Sequence, residues 1–404
     1  MSGVRRLGLL ILGLYLGLVA GCFQPASPVL RNPGTPSPVP SPPVASPTAP
    51  ATPPPTVATP GPLALRVEVV AAGLQAPWAL AFAPDGRIFV TERPGRVRVI
   101  SGGALLPEPW ATVPVAERAG SESGLMGIAI DPDFRANGFV YIYYTYQEQG
   151  RLWNRLVRLV DRNGRGEVNR VLLDQIPGAS IHDGGRLRFG PDGKLYLTVG
   201  DAAVAENAQN LSSLNGKILR LNPDGTVPPD NPFPGSPVYA LGLRNPQGLA
   251  WHPITRQLFA SDHGPSGGPP NCCHDELNLI EAGGNYGWPA VFGVGGAPRF
   301  IEPILESGTE TWAPSGIDFG TDGPVRGVLF IAALRGQHLR LVWLASPDFR
   351  RVERQEVLFQ NEYGRLRDVV AGPDGALYIL TSNRDGRGSP RPGDDKLLRV
   401  TFGP

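Results

Sequence analysis

The 404-residue chain holds only 3 cysteines and 2 methionines, and charged residues make up just 18% of it. So few charges leave little material for long helices with solvated outer faces. No basic run is longer than pairs such as Arg5-Arg6 and Arg350-Arg351, and the net charge is +1. Nucleic acid, which requires clustered Lys and Arg, is therefore not an expected partner. No stretch sustains the 3.6-residue apolar period of a long helix, so α/β architectures are weak alternatives. A glycine-rich phosphate loop between a strand and a helix is also missing, which argues against a nicotinamide cofactor.

What the chain has in quantity is turn material, 52 glycines and 45 prolines, and this leans towards an all-β fold. Its first 22 residues read as a lipoprotein signal: Arg5 and Arg6, an apolar stretch from 7 to 20, and Val19-Ala20-Gly21-Cys22. The stretch is too short to span a bilayer, and small residues stand where a signal peptidase cuts. The expectation is an exported protein anchored to the membrane through Cys22. In residues 24–62, 15 of 39 positions are proline and Arg31 is the only charge. Such a tract buries nothing and favours extended polyproline conformations at about 3 Å per residue, so residues 23–62 read as a tether. The folded domain is then 63–404.

Past residue 63 a unit recurs: an apolar strand, a Pro-Asp-Gly turn, a second apolar strand and a charged third strand. Pro84-Asp85-Gly86, Pro191-Asp192-Gly193 and Pro373-Asp374-Gly375 mark three copies. Asp-Gly between apolar runs is a hairpin signal because glycine supplies the positive φ of a tight turn. Degenerate copies lie at 125–144, 247–262 and 315–333. Six antiparallel units at 50- to 60-residue spacing predict a six-bladed β-propeller of four-stranded blades around a central channel.

Loops joining propeller blades gather at one mouth of the channel, so unusual polar segments belong together. They include Ser121-Glu122-Ser123-Gly124, His182-Asp183-Gly184-Gly185-Arg186, Gly242-Leu243-Arg244-Asn245-Pro246-Gln247 and Asp262-His263-Gly264-Pro265. Further on come Asp275-Glu276-Leu277-Asn278, Gly284-Asn285-Tyr286-Gly287-Trp288-Pro289, Trp312-Ala313-Pro314-Ser315 and Gly364-Arg365-Leu366-Arg367-Asp368. In the order and spacing of these segments, residues 66–402 resemble the glucose/sorbosone dehydrogenase family. Those are soluble aldose dehydrogenases that use pyrroloquinoline quinone and calcium on a six-bladed propeller.

That resemblance implies that His182 is the general base for the anomeric hydroxyl, a task suited to histidine's ordinary pKa. It places the carbonyls of Gly264 and Pro265 on a calcium ion (Ca2+), which takes oxygen ligands at flexible geometry. Arg244 and Asn245 would flank the quinone oxygens, and Arg335, Arg365 and Arg367 would meet the carboxylates of this tricarboxylate cofactor. Trp312 would form an aromatic wall over sugar or cofactor, although a buried core tryptophan explains the same letter. Asp275, Glu276 and Tyr286 would build or adjoin a second, structural calcium site. Glu122 stands near the base where the glucose enzyme carries glutamine, and Ile181 where that enzyme has aspartate, so the sequence assigns His182 no carboxylate partner. An insertion, 266–274, carries adjacent Cys272 and Cys273, which in an oxidising compartment form either an eight-membered disulfide ring or two free thiols.

Two other readings compete. A calcium-dependent propeller lactonase would need carboxylates and asparagines ringing its metal, and the arginines count against it. A non-catalytic propeller binding glycan or protein would make His182 incidental. Gly264-Pro265-Ser266-Gly267-Gly268 matches the Gly-x-Ser-x-Gly elbow of hydrolases, but Pro269-Pro270 follows where that motif requires a helix.

Overall fold

The computed structural model describes residues 64–118, 120–266 and 272–403. The expected signal, tether and lipid attachment at Cys22 lie outside the described residues. The rest forms six antiparallel sheets in chain order, a six-bladed β-propeller, as the repeats predict. The blades begin with the strands Pro77–Phe82, Leu125–Ile130, Leu187–Phe189, Pro246–Trp251, Pro314–Phe319 and Leu366–Ala371.

The second strand of five blades is buried at every position: Ile88–Glu92, Leu195–Val199, Leu258–Asp262, Leu329–Ala333 and Leu377–Thr381. Each blade packs between two others, so both faces of an inner strand are buried and largely apolar, and the period-2 alternation disappears. Outer strands behave differently. Val352–Leu358 is exposed along most of its length and carries Glu353, Arg354 and Glu356.

At the three Pro-Asp-Gly turns, Gly86, Gly193 and Gly375 have φ of +90°, +71° and +77°, in the left-handed region that favours glycine. The aspartate of each turn accepts a backbone N–H two residues on: Arg87 to Asp85 at 3.1 Å, Lys194 to Asp192 at 3.1 Å and Ala376 to Asp374 at 3.3 Å. The side chain thus supplies a hydrogen bond that the tight backbone cannot.

The way the ring closes was not foreseen. The last blade runs Leu366–Ala371, Leu377–Thr381 and Leu397–Phe402, and its outer strand is Leu65–Ala71 from the start of the domain. Leu65 pairs with Phe402 and Val67 with Val400. The two ends of the domain are therefore fastened in one sheet, so neither terminal strand leaves a ladder unpaired on that side.

Candidate active site

Strand ends and blade-connecting loops enclose a cavity of about 670 Å³. Glu122, His182, Arg244, Arg335, Arg365 and Arg367, all singled out from sequence, line it. Arg93, Gln247, His263, Asp385, Arg387 and Arg391 line it too, and the sequence reading had assigned none of these a role.

On one side stands His182, in the connection from the strand Arg165–Pro177 to Leu187–Phe189 that leads into the third blade, with φ +62°, a left-handed conformation that a non-glycine residue rarely holds. Its backbone N–H donates to Glu122 Oε2 at 2.9 Å, and its Nδ1 lies 2.8 Å from Asp201 Oδ1. An ionised carboxylate only accepts, so Nδ1 carries the proton and Nε2 keeps a free lone pair. Asp201 is fixed in turn by Trp288, whose Nε1–H donates to Oδ2 at 2.9 Å. The carboxylate partner that Ile181 could not supply comes from just past the second strand of the third blade, Leu195–Val199. Its only signal in the sequence is an aspartate directly after Gly200.

Glu122 ties this side together. Besides holding His182, it accepts from Asn245 Nδ2 at 2.9 Å and from Arg387 Nη1 at 2.9 Å. Burial works against its charge, but His263, Arg387 and His182 prevail and bring its pKa down to about 2. His263 is itself kept neutral, because burial brings its pKa down to about 3. At neutral pH, Arg387 is therefore the full cation on Glu122. Asn245 does not line the cavity as expected. It is fully buried, giving its amide to Glu122 and taking the Gly184 N–H at 3.0 Å, so it positions the carboxylate.

The other side is cationic. Arg365 reaches Asp385 Oδ2 at 2.8 Å, while Arg367 lies 3.7 Å from the same oxygen and donates to Gln247 Oε1 at 2.8 Å. Burial lowers the Arg367 pKa to about 9, and Asp385 only partly offsets this against the like charges of Arg365 and Arg93. Its Nε is buried without a partner. A guanidinium so placed is short of negative charge. Seven arginines and two carboxylates line the whole cavity, in a chain whose net charge is only +1. The arrangement suits a small ligand with several carboxylates.

The expected calcium residues separate into two groups. The Gly264 carbonyl accepts from Arg244 Nη1 at 2.8 Å, which leaves one lone pair. The Gly264 loop is tightly seated: a Cβ added there would fall 1.7 Å from the Cys273 carbonyl oxygen. The side chains of Asp275, Glu276 and Tyr286 do not converge on one point. Asp275 accepts from Gly264 N at 3.0 Å, Trp312 N at 2.7 Å and Ala313 N at 2.9 Å, so both its oxygens serve to hold loops. Glu276 accepts from Gly293 N and Asn278 Nδ2, and burial pushes its pKa up to about 8. The Tyr286 hydroxyl donates to the Leu279 carbonyl inside the core. Among the described residues no cluster of three or more His, Cys, Asp or Glu side chains forms a metal site.

Trp312 is a correction. Its ring lies under Arg340, whose guanidinium carbon is 3.9 Å from the ring centroid, and its Nε1 donates to Glu310. It is 5% exposed and does not line the cavity, whereas Thr311 and Ala313 on either side do. A residue between two lining residues points away from the surface they share. Cys272 and Cys273 are joined in a disulfide, and Cys273 Sγ lies 2.9 Å from Thr311 Oγ1 at the back of the cavity wall.

Residues 74–399 match the family model for glucose/sorbosone dehydrogenases. The chain belongs to this family. It is 33% identical to the aldose sugar dehydrogenase YliI of Escherichia coli over 80% of this chain and 92% of that one. A solved PQQ-bound aldose sugar dehydrogenase from Streptomyces coelicolor superposes with a TM-score of 0.76 at 37% identity, covering 86% of this chain and all of that one. A putative oxidoreductase (glucose dehydrogenase) from Thermus thermophilus gives a TM-score of 0.77 at 49% identity over 84% of this chain and all of that one. As a member of this family the chain is a propeller oxidoreductase of the sugar dehydrogenase type.

Proposed function

We propose that the protein oxidises aldose sugars at the anomeric carbon with pyrroloquinoline quinone as cofactor. One observation carries the reading. A histidine with a free Nε2, oriented by a buried carboxylate, shares a cavity with a wall of arginines short of negative charge. Arg335, Arg365 and Arg367 would hold the cofactor's carboxylates, and Arg244 its quinone oxygens. When bound, the quinone supplies a two-electron acceptor for the hydride of the anomeric C–H bond.

The chain's own part is proton management and orientation. His182 Nε2 takes the anomeric hydroxyl proton, so electron density builds on the sugar oxygen as the hydride leaves. Asp201 keeps the ring in the required tautomer and stabilises the imidazolium that forms. Glu122 and Asn245 fix the backbone at His182, and Arg244 offers a cation to developing negative charge. A calcium ion would sit on the carbonyls of Gly264 and Pro265, with Asp275 holding the loop that presents them. Neutral backbone oxygens of this kind suit a hard cation that also binds an anionic cofactor. The lactonase alternative lacks its expected ring of carboxylates and asparagines among the cavity-lining residues. Export and membrane attachment through Cys22 belong to the same proposal.

The test is direct. Purified apoprotein receives pyrroloquinoline quinone and calcium, and the quinone spectrum is followed on adding aldoses. Bleaching is expected. A bound quinone that no aldose bleaches would defeat the proposal, and failure to bind any quinone would favour a non-catalytic propeller.

A further inference from the structure

The cofactor does not account for all of the positive charge in the cavity. Seven arginines face two carboxylates, so the lining is five charges positive, and with the proposed calcium ion and the three carboxylates of the quinone four positive charges are left over. Arg335, Arg365 and Arg367 are the arginines assigned to those carboxylates. The surplus is contributed in part by a loop with no assigned function, residues 382–395, which follows the strand Leu377–Thr381 of the last blade.

Two arginines of that loop reach the cavity, Arg387 and Arg391. Arg387 crosses to the loop before the second blade, donating from Nε to the Gly120 carbonyl at 3.0 Å and from Nη1 to Glu122 Oε1 at 2.9 Å. The other oxygen of Glu122 holds the His182 N–H, so a single carboxylate separates this guanidinium from the base. Its side chain is 40% exposed. Among the described residues the Arg391 side chain has no carboxylate partner: Nη1 donates to the Glu362 carbonyl at 2.7 Å and Nη2 lies 3.4 Å from the Asn361 carbonyl. Its charge is left for the cavity mouth.

We propose that the preferred substrates are aldoses carrying a carboxylate, the hexuronic acids, with Arg391 and Arg387 as the residues that select them. The proposal rests on the dehydrogenase reading and names the substrate class of that site. A hexuronate oxidised at C1 carries its carboxylate on the far side of the ring from the reacting carbon. With C1 at His182, that group meets another part of the cavity wall, which Arg387 and Arg391 also line. An arginine meets a carboxylate through two parallel N–H donors, and a neutral sugar forfeits that contact. The bond chemistry at C1 is unchanged. Loss of C–H and O–H there leaves a lactone, with the proton on His182.

The experiment uses the full chain loaded with pyrroloquinoline quinone and calcium, mixed with D-glucuronate or D-glucose without any added electron acceptor. Bleaching is expected at least tenfold faster with glucuronate at low concentrations, with the preference falling as salt rises. Arg391→Gln is expected to lower the glucuronate rate about tenfold and leave the glucose rate unchanged. Calorimetry with methyl β-D-glucuronide and methyl β-D-glucoside, whose blocked anomeric oxygens prevent turnover, supplies a binding readout. The glucuronide binds more tightly to the wild type, and Arg391→Gln and Arg387→Gln each reduce the difference. If glucose bleaches the quinone as fast as glucuronate, or if neither variant alters the preference, this inference is overturned and the dehydrogenase reading stands. If neither sugar bleaches it, the dehydrogenase reading fails and takes this inference with it.

Discussion

The two sides of the cavity solve opposite electrostatic problems. In the proposed reaction His182 must be held in one orientation, and the carboxylates around it are themselves fixed by hydrogen bonds: Asp201 by Trp288, and Glu122 by Asn245 and Arg387. Around Arg365 and Arg367, where the proposed cofactor's carboxylates would sit, cations are crowded together with one shared counterion, Asp385. The first side is complete as it stands, while the second is short of negative charge. Placing both in one cavity lets the Arg387–Glu122 ion pair tie the loop that carries Asp385 to the side that holds His182. Preorganised charge of this kind avoids reorganisation at the moment of reaction.

Separate variants can split the two sides. His182→Ala is expected to lower turnover by about 100- to 10,000-fold, the usual contribution of a positioned base, while quinone binding survives. Rapid-mixing measurement of quinone bleaching checks the first part, and a holo variant with an unchanged rate removes His182 from its role. The reverse pattern is expected of Arg365→Ala combined with Arg367→Ala. Each lost charge-assisted contact costs roughly 1.5–3 kcal/mol, about ten- to a hundredfold in quinone affinity. Titration of the apoprotein with quinone reads this out, and wild-type affinity in the double variant breaks the assignment.

Asp201→Asn is expected to be milder and to sharpen the base side alone. Loss of the orienting carboxylate lowers turnover by about ten- to a hundredfold and shifts the pH profile of turnover, with quinone affinity retained. A pH profile that does not move would reduce Asp201 to a packing role.

The smallest effect concerns stability. The pKa of Glu122 falls from 4.5 to about 2 on folding, so its contribution is present above the unfolded value and disappears as pH falls through the folded one. The stability gap between wild type and Glu122→Gln should therefore narrow by about 2–3 kcal/mol between pH 5 and pH 2. Denaturant unfolding at several pH values measures it, and a constant gap would show that the fold does not hold Glu122 ionised.

Much of this was legible in the chain because it is local. A Pro-Asp-Gly turn needs only its own four residues, and a fully apolar strand announces burial on both faces. The alternation of Arg365 and Arg367 brought both side chains to the cavity, as strand geometry requires. The resemblance set Trp312 against the ligand, whereas its neighbours Thr311 and Ala313 face the cavity and it turns away. Asp275 and Glu276 looked like metal ligands because carboxylates beside a carbonyl-rich turn suit a cation. Tertiary structure spends them instead on backbone N–H groups from Gly264, Trp312, Ala313 and Gly293.

The sequence by itself determined the six repeats, the all-β architecture and the alternating arginine pair that lines the cavity, since each is written in a few neighbouring residues. Only the folded ring decided what depends on residues far apart in the chain. Strand Leu65–Ala71 closes the blade that ends at Phe402, Asp201 comes to His182, and Arg387 comes to Glu122 across 265 positions. A propeller brings each blade's inner loops to one axis, so the partner of a catalytic residue is set by the closure of the ring, which no local pattern records.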